Sequence, residues 1–198
     1  QGRFALPSST LAVGALREAG HPVELLYAPP DQPYAVDRAR TIARAAQAFS
    51  RIRRSRIGII GGIFPNLIAC RYDPQTVSAR LGVTLLSLPY EDIRARVAAA
   101  ASHPEETKQV RQDITRSYAF AAADQQALDD GLNLHLALKH LAQEQKLDAF
   151  AAECWTGLPR ELGLNPCFGF ADDAYTLACE GDVTLCVSLL MVQYLTGN

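Results

Sequence analysis

Arg56-Ile57-Gly58-Ile59-Ile60-Gly61-Gly62 is the stretch that decides the fold. Its isoleucines make a short apolar run, which reads as a buried strand, and the two glycines end it. Asp73-Pro74 then opens a helix, with aspartate as the cap and proline at the first helical position. Gly82 closes that helix. Val83 to Leu88 reads as the next strand and Tyr90 to Ala101 as the next helix. Strand, helix, strand, helix in this rhythm calls for βαβ units and a parallel sheet.

Toward the amino terminus, Ser8 and Ser9 offer N-caps for a helix ending near Ala19, with Gly20 as its stop. Val23 to Ala28 reads as a short buried strand, broken by Pro29-Pro30-Asp31. Tyr34 to about Arg53 is helical, with Ala35, Ala39, Ile42, Ala46 and Phe49 at helical spacing. Toward the carboxyl terminus, His103 to Ser117 and Tyr118 to Lys146 are helical, the second with Leu128, Leu132, Leu136 and Leu141 on one stripe. Leu147 to Ala152 is a further strand. A loop with Pro159, Gly163 and Pro166 follows, and the last helix runs from about Asp182 to Leu195. The expected architecture is α/β: an open, mostly parallel sheet with helices on both faces, Rossmann-like or flavodoxin-like. It covers residues 8–198, with 1–7 as the tail of a preceding domain or a linker.

The 198 residues are 48% hydrophobic and 20% charged, the make-up of an ordinary globular protein. No apolar run reaches the roughly 18 residues needed to span a bilayer. Five cysteines, Cys70, Cys154, Cys167, Cys179 and Cys186, form no CxxC pair. They fit reduced, mostly buried thiols in a cytoplasmic protein. The net charge of −2 hides an asymmetry: residues 1–100 hold 13 Arg and no Lys against 7 acidic residues, and 101–198 hold 6 basic against 14 acidic. A basic half raises the question of nucleic acid. Six of its thirteen arginines, however, cluster along one helix (Arg38, Arg40, Arg44, Arg51, Arg53, Arg54) without interleaved aromatics. A solvated helix face or a subunit contact accounts for them better, and no nucleic-acid partner is expected.

Gly61-Gly62 after a strand invites a nucleotide-binding reading, but the GxGxxG spacing is absent and Pro65 intervenes before any helix. A tight turn at a strand end explains the glycines. His21, His103, His135 and His140 show no paired ligand spacing, and there is no GxSxG element.

The carboxylates near the carboxyl terminus say more. Parallel sheets gather ligands beyond the carboxyl ends of their strands. Glu153 stands where the strand Leu147 to Ala152 ends, and a carboxylate after Ala-Phe-Ala-Ala needs a partner. Glu180 and Asp182 stand at the start of the last helix, where Asp182 as an N-cap is the structural explanation. Two or three convergent carboxylates suit a hard divalent cation such as Mg²⁺ or Mn²⁺. Trp155, the single tryptophan, either lines a sugar pocket beside them or packs in a core or interface.

At these residues the chain resembles the L-fucose/L-arabinose isomerase-like family, and its fucose isomerase-related branch in particular. The matching stretches are Arg56 to Gly62, Arg71-Tyr72-Asp73-Pro74, Glu153-Cys154-Trp155, Pro166-Cys167, and above all Ala178-Cys179-Glu180-Gly181-Asp182-Val183 with the apolar helix and Leu195-Thr196-Gly197 after it. The resemblance implies a metal-dependent aldose–ketose isomerase acting through an ene-diolate, with Mn²⁺ gripping the sugar oxygens and carboxylates shuttling a proton between C1 and C2. It implies Glu153 as one acidic ligand and proton carrier. The second ligand falls within Glu180-Gly181-Asp182: the arabinose-type pattern favours Glu180, the reading adopted, and the fucose-type pattern points to Asp182. It also implies a homo-oligomer and a third ligand, a histidine, from a C-terminal domain beyond Asn198. The chain then corresponds to the central α/β domain alone, expected to be inactive by itself. The alternative is a non-catalytic Rossmann-like module that binds a sugar or a nucleotide.

Overall fold

The computed structural model describes residues 5–29, 31–64, 66–117, 125–167 and 175–197. The chain divides into two units, 1–47 and 48–198. In the first, α1 (Ala5–Glu18) is followed by an extended segment and the start of α2 (Pro33–Ile52). Arg38 grips Glu24 through two hydrogen bonds of 2.7 and 2.6 Å. Two expectations fail in this unit. Ser8 and Ser9 lie inside α1 rather than capping it. Residues 23–28 form no strand and are exposed or half-buried, because no neighbouring strand takes up their backbone hydrogen bonds.

The second unit is built on an all-parallel sheet, β2-β1-β3-β4 in spatial order. β1 is Arg56–Ile60, β2 Thr84–Leu88, β3 Ala149–Ala152 and β4 Thr176–Ala178. In register, Ile57 faces Leu85 on one side and Ala149 on the other, and Ala151 faces Ala178. The fold is therefore α/β with an open parallel sheet, and helices cover both faces. On one face α4 (Tyr90–Ala101), α6 (Gln125–Gln145) and α7 (Gly157–Leu162) bury Ile93, Leu138 and Leu158 against Ile60 and Phe150. On the other, the end of α2, α3 (Pro74–Leu81) and α8 (Val183–Thr196) pack Ile52, Val77 and Leu190 against Ile57, Ala149 and Ala151. Each fully buried aliphatic side chain contributes about 1.5–3 kcal/mol. α5 (Pro104–Ser117) packs Ile114 against Leu128 and Leu132 of α6.

Local chemistry sets the element ends. The Asp73 carboxylate accepts from Thr76 N at 2.9 Å, Pro74 follows it, and Gly82 stops α3 at φ +77°. Asp182 accepts from Leu185 N at 2.8 Å and so caps α8. Gly58 is glycine for lack of space: a Cβ there stands 2.6 Å from Leu88 Cδ1. At the amino edge of the sheet, Tyr194 joins Ser55 at 3.0 Å and donates to Asp148 at 3.3 Å, which ties the end of α8 to the strands. Part of the expected loop after β3 is the helix α7, and β4 is a strand the sequence did not announce. The expected helical residues 118–124 lie outside the described set.

Candidate functional site at the carboxyl edge of the sheet

Because all the strands run in parallel, their carboxyl ends share one edge. From β1 the chain goes to β2 on one side, then returns past β1 to β3 on the other. The direction of winding therefore reverses between β1 and β3, the position where open α/β sheets form a crevice. Gly61 and Gly62 leave β1 there with φ of +76° and +94°. Glu153 leaves β3 beside them, its N–H donating to Ile60 O at 3.0 Å.

The Glu153 carboxylate is 5% exposed and fully engaged. Oε2 accepts from the Tyr90 hydroxyl at 2.9 Å. Oε1 accepts from Thr156 N at 3.2 Å and from Thr156 Oγ1 at 2.5 Å. An acceptor-only carboxylate is thus met by three donors. Burial first, and the Glu153 carboxylate second, push the Tyr90 hydroxyl up to about 12. Two glycines make room for this arrangement. A Cβ on Gly61 would stand 1.8 Å from the Tyr90 oxygen, and one on Gly157 would stand 1.5 Å from Glu153 Oε2. Tyr90 and Thr156 were not singled out from sequence. Tyr90 meets Glu153 only through tertiary folding, whereas the Glu153–Thr156 spacing of three is a local side-chain-to-backbone pattern that was legible.

Glu180 follows β4 in a different setting. Asp182 N donates to Cys179 O at 3.0 Å, and Glu180 and Gly181, the two residues between, have φ of +61° and +69°. This is the signature of a type I′ turn, whose central positions favour Gly, Asn and Asp. A glutamate there is strained by about 1–2 kcal/mol. Its Oε1 accepts from Cys154 Sγ at 3.7 Å. Its Oε2 is buried and has no hydrogen-bond partner. Burial pushes the Cys154 thiol up to about 12, so the group facing Glu180 is a neutral thiol. Asp182 uses Oδ1 for the helix cap, and Oδ2 accepts from Cys70 Sγ at 3.8 Å.

The segments leaving β1 and β4 meet across the end of β3, which lies between them. Phe64 N donates to Glu180 O at 3.4 Å, and Gly62 O leaves no room for a Cβ on Gly181, which would stand 1.9 Å away. Glu153 and Glu180 therefore stand on neighbouring strand ends, an arrangement that follows from β4 and that the sequence did not announce, and they are in opposite states: the first hydrogen-bonded on both oxygens, the second with an orphaned oxygen. Trp155 is 70% exposed, so it is not a core residue of this chain. His135 and His140 are on α6, where they pair with Tyr175 at 2.9 Å and with Glu106 at 3.1 Å.

An unpartnered buried carboxylate oxygen suits a hard cation that takes oxygen ligands. Glu180 fits that part, and Asp182 Oδ2 has only a weak thiol donor. A cation at Glu153 competes with three donors already in place. Among the described residues, no group of three or more His, Cys, Asp or Glu could hold a metal ion. No helix among the described residues is long and apolar enough to cross a membrane. No protein-family model matches the chain, and no curated protein matches it.

Proposed function

We propose that this chain carries the carboxylate half of the metal site of an aldose–ketose isomerase, with Glu180 as a metal ligand and Glu153 as the second ligand and proton carrier. The observation that carries the reading is the buried, unpartnered Glu180 Oε2 on a strained left-handed residue. Strain and an unsatisfied charge in one side chain are characteristic of positions kept for a ligand rather than for stability. Mn²⁺, when bound, supplies Lewis-acid stabilisation of negative charge on the sugar oxygens. The rest is done by residues of this chain. Tyr90 and Thr156 fix the Glu153 carboxylate, which takes a proton from one sugar carbon and returns it to its neighbour. The exposed Trp155 ring offers a face to a monosaccharide. Asp182, as cap of α8, holds the Glu180 turn in place. A histidine from outside this chain completes the ligand set in a homo-oligomeric, cytoplasmic enzyme.

A second reading, a non-catalytic sugar- or nucleotide-binding module, draws on the saturation of Glu153 and on the open Gly61-Gly62 turn at the winding reversal. Glu153→Gln and Glu180→Gln in the full-length protein separate the two. The isomerase reading expects Mn²⁺ affinity, followed by the spin resonance of the free ion, to fall at least about tenfold in each variant with the circular dichroism unchanged. Unchanged Mn²⁺ binding and unchanged sugar turnover in both variants would refute the ligand assignment.

A further inference from the structure

Successive side chains of extended backbone point to opposite sides, and the exit from β3 keeps that alternation. Glu153 turns to Tyr90 and Thr156, and Cys154 turns to Glu180. β3 and β4 are parallel neighbours with Ala151 opposite Ala178, so their exits run side by side and carry Cys154 to the Glu180 turn. As a hydrogen bond the contact is poor. A thiol is a weak donor, its sulfur stands 3.7 Å from Oε1, and Oε2 is left buried with no partner at all. Sulfur flanks the acidic turn at a second point, where Cys70 Sγ stands 3.8 Å from Asp182 Oδ2.

The Cys154–Glu180 spacing suits a different bond. A tetrahedral cation with sulfur at about 2.3 Å and oxygen at about 2.1 Å holds those two ligands about 3.6 Å apart. Cys154 Sγ and Glu180 Oε1 already stand at nearly that separation. Cys154 is half-buried, so a cation reaches it from solvent.

We infer, on the reading of Glu180 as a metal ligand, that Cys154 is a ligand beside it and that the pair selects a thiophilic divalent cation of the Zn²⁺ class over Mn²⁺. Carboxylate oxygens alone suit Mg²⁺ and Mn²⁺, whereas a thiolate moves the choice toward Zn²⁺. On binding, the Cys154 S–H bond breaks, a metal–sulfur bond forms and the proton goes to solvent, with no change of oxidation state. Two ligands are not a closed shell, and among the described residues no group of three could hold a metal ion. Water takes the positions that protein groups leave open.

Zn²⁺ outranks Mn²⁺ at most sites, so the order of affinities alone decides nothing. Co²⁺ in place of Zn²⁺ reports the sulfur directly, because a cobalt–thiolate bond gives an intense charge-transfer absorption in the near ultraviolet that oxygen and nitrogen ligands do not give. Titration of the protein with Co²⁺ should bring up that band. Cys154→Ser and Cys154→Ala should each abolish it and lower Zn²⁺ affinity about tenfold or more, with circular dichroism unchanged and a smaller effect on Mn²⁺. Cys167→Ser, at an exposed thiol, should keep the band. Co²⁺ that binds without the band, or a band that survives in both Cys154 variants, overturns the inference; if Glu180→Gln still abolishes Mn²⁺ binding, the reading of Glu180 stands. Mn²⁺ and Co²⁺ binding that Glu180→Gln leaves unchanged overturns both.

Discussion

Replacing Glu180 by glycine should make the protein more stable. The residue stands at φ +61° in a type I′ turn, which costs a non-glycine residue about 1–2 kcal/mol. Its Oε2 is buried without a donor, a penalty at the low end of about 1–3 kcal/mol because the residue as a whole is half-exposed. Against these gains stand the extra unfolded-state entropy of glycine, about 0.5–1 kcal/mol, and the loss of one thiol contact. The balance is a stabilisation of about 1 kcal/mol, or a rise in Tm of about 2–4 °C for a chain of this size. Glu180→Asn should gain by the same route, since asparagine tolerates the turn, whereas Glu180→Gln keeps the strain and loses that gain. Urea unfolding followed by far-ultraviolet circular dichroism measures all three. Lys146→Gly, at the other non-glycine left-handed position among the described residues, serves as a control away from the site. If Glu180→Gly and Glu180→Asn each lower stability by more than about 1 kcal/mol, the turn stores no strain. The argument that Glu180 is kept for a ligand then fails with it.

Gly157→Ala should cost about 3 kcal/mol or more, because its Cβ would fall 1.5 Å from Glu153 Oε2 and the carboxylate has no exit from its three donors; a midpoint within about 0.5 kcal/mol of wild type in the same unfolding assay would show that the Glu153 pocket is loose. The Tyr90 hydroxyl sets a pH dependence. Its folded value, about 12, lies above its ordinary value of about 10, so its contribution to stability is complete below pH 10 and is lost as pH rises from 10 to 12. Tyr90→Phe should flatten that alkaline fall, and an unchanged slope of unfolding free energy between pH 10 and 12 would count against the Tyr90–Glu153 hydrogen bond.

Much of the sheet was legible because its signals are local. β1 declared itself by an isoleucine run ending in two glycines, α3 by Asp73-Pro74 and Gly82, and α8 by Asp182 and Gly197. The failures have equally specific causes. α7 was hidden by Pro159, but this proline is the third residue of its helix, in the first turn, where a missing N–H costs nothing. β4 is three residues long, too short for any periodicity to show. Val23 to Ala28 has the apolar content of a strand but no partner, and partners are not written in a segment's own residues. The same limit applies to the site. Sequence placed Glu153 at a strand end and Glu180 at the start of the last helix, but only folding sets Glu180 behind β4, brings Tyr90 to Glu153 and leaves the Glu180 oxygen bare.

Among the described residues, β4 is the outermost strand of the sheet beyond β3, and it has three residues. A strand so short offers an approaching chain no more than one or two free backbone groups on its outer side. Templated addition of foreign β-structure, the hazard that open sheets carry, finds almost no purchase there. The brevity of β4 thus limits uncontrolled growth at that edge.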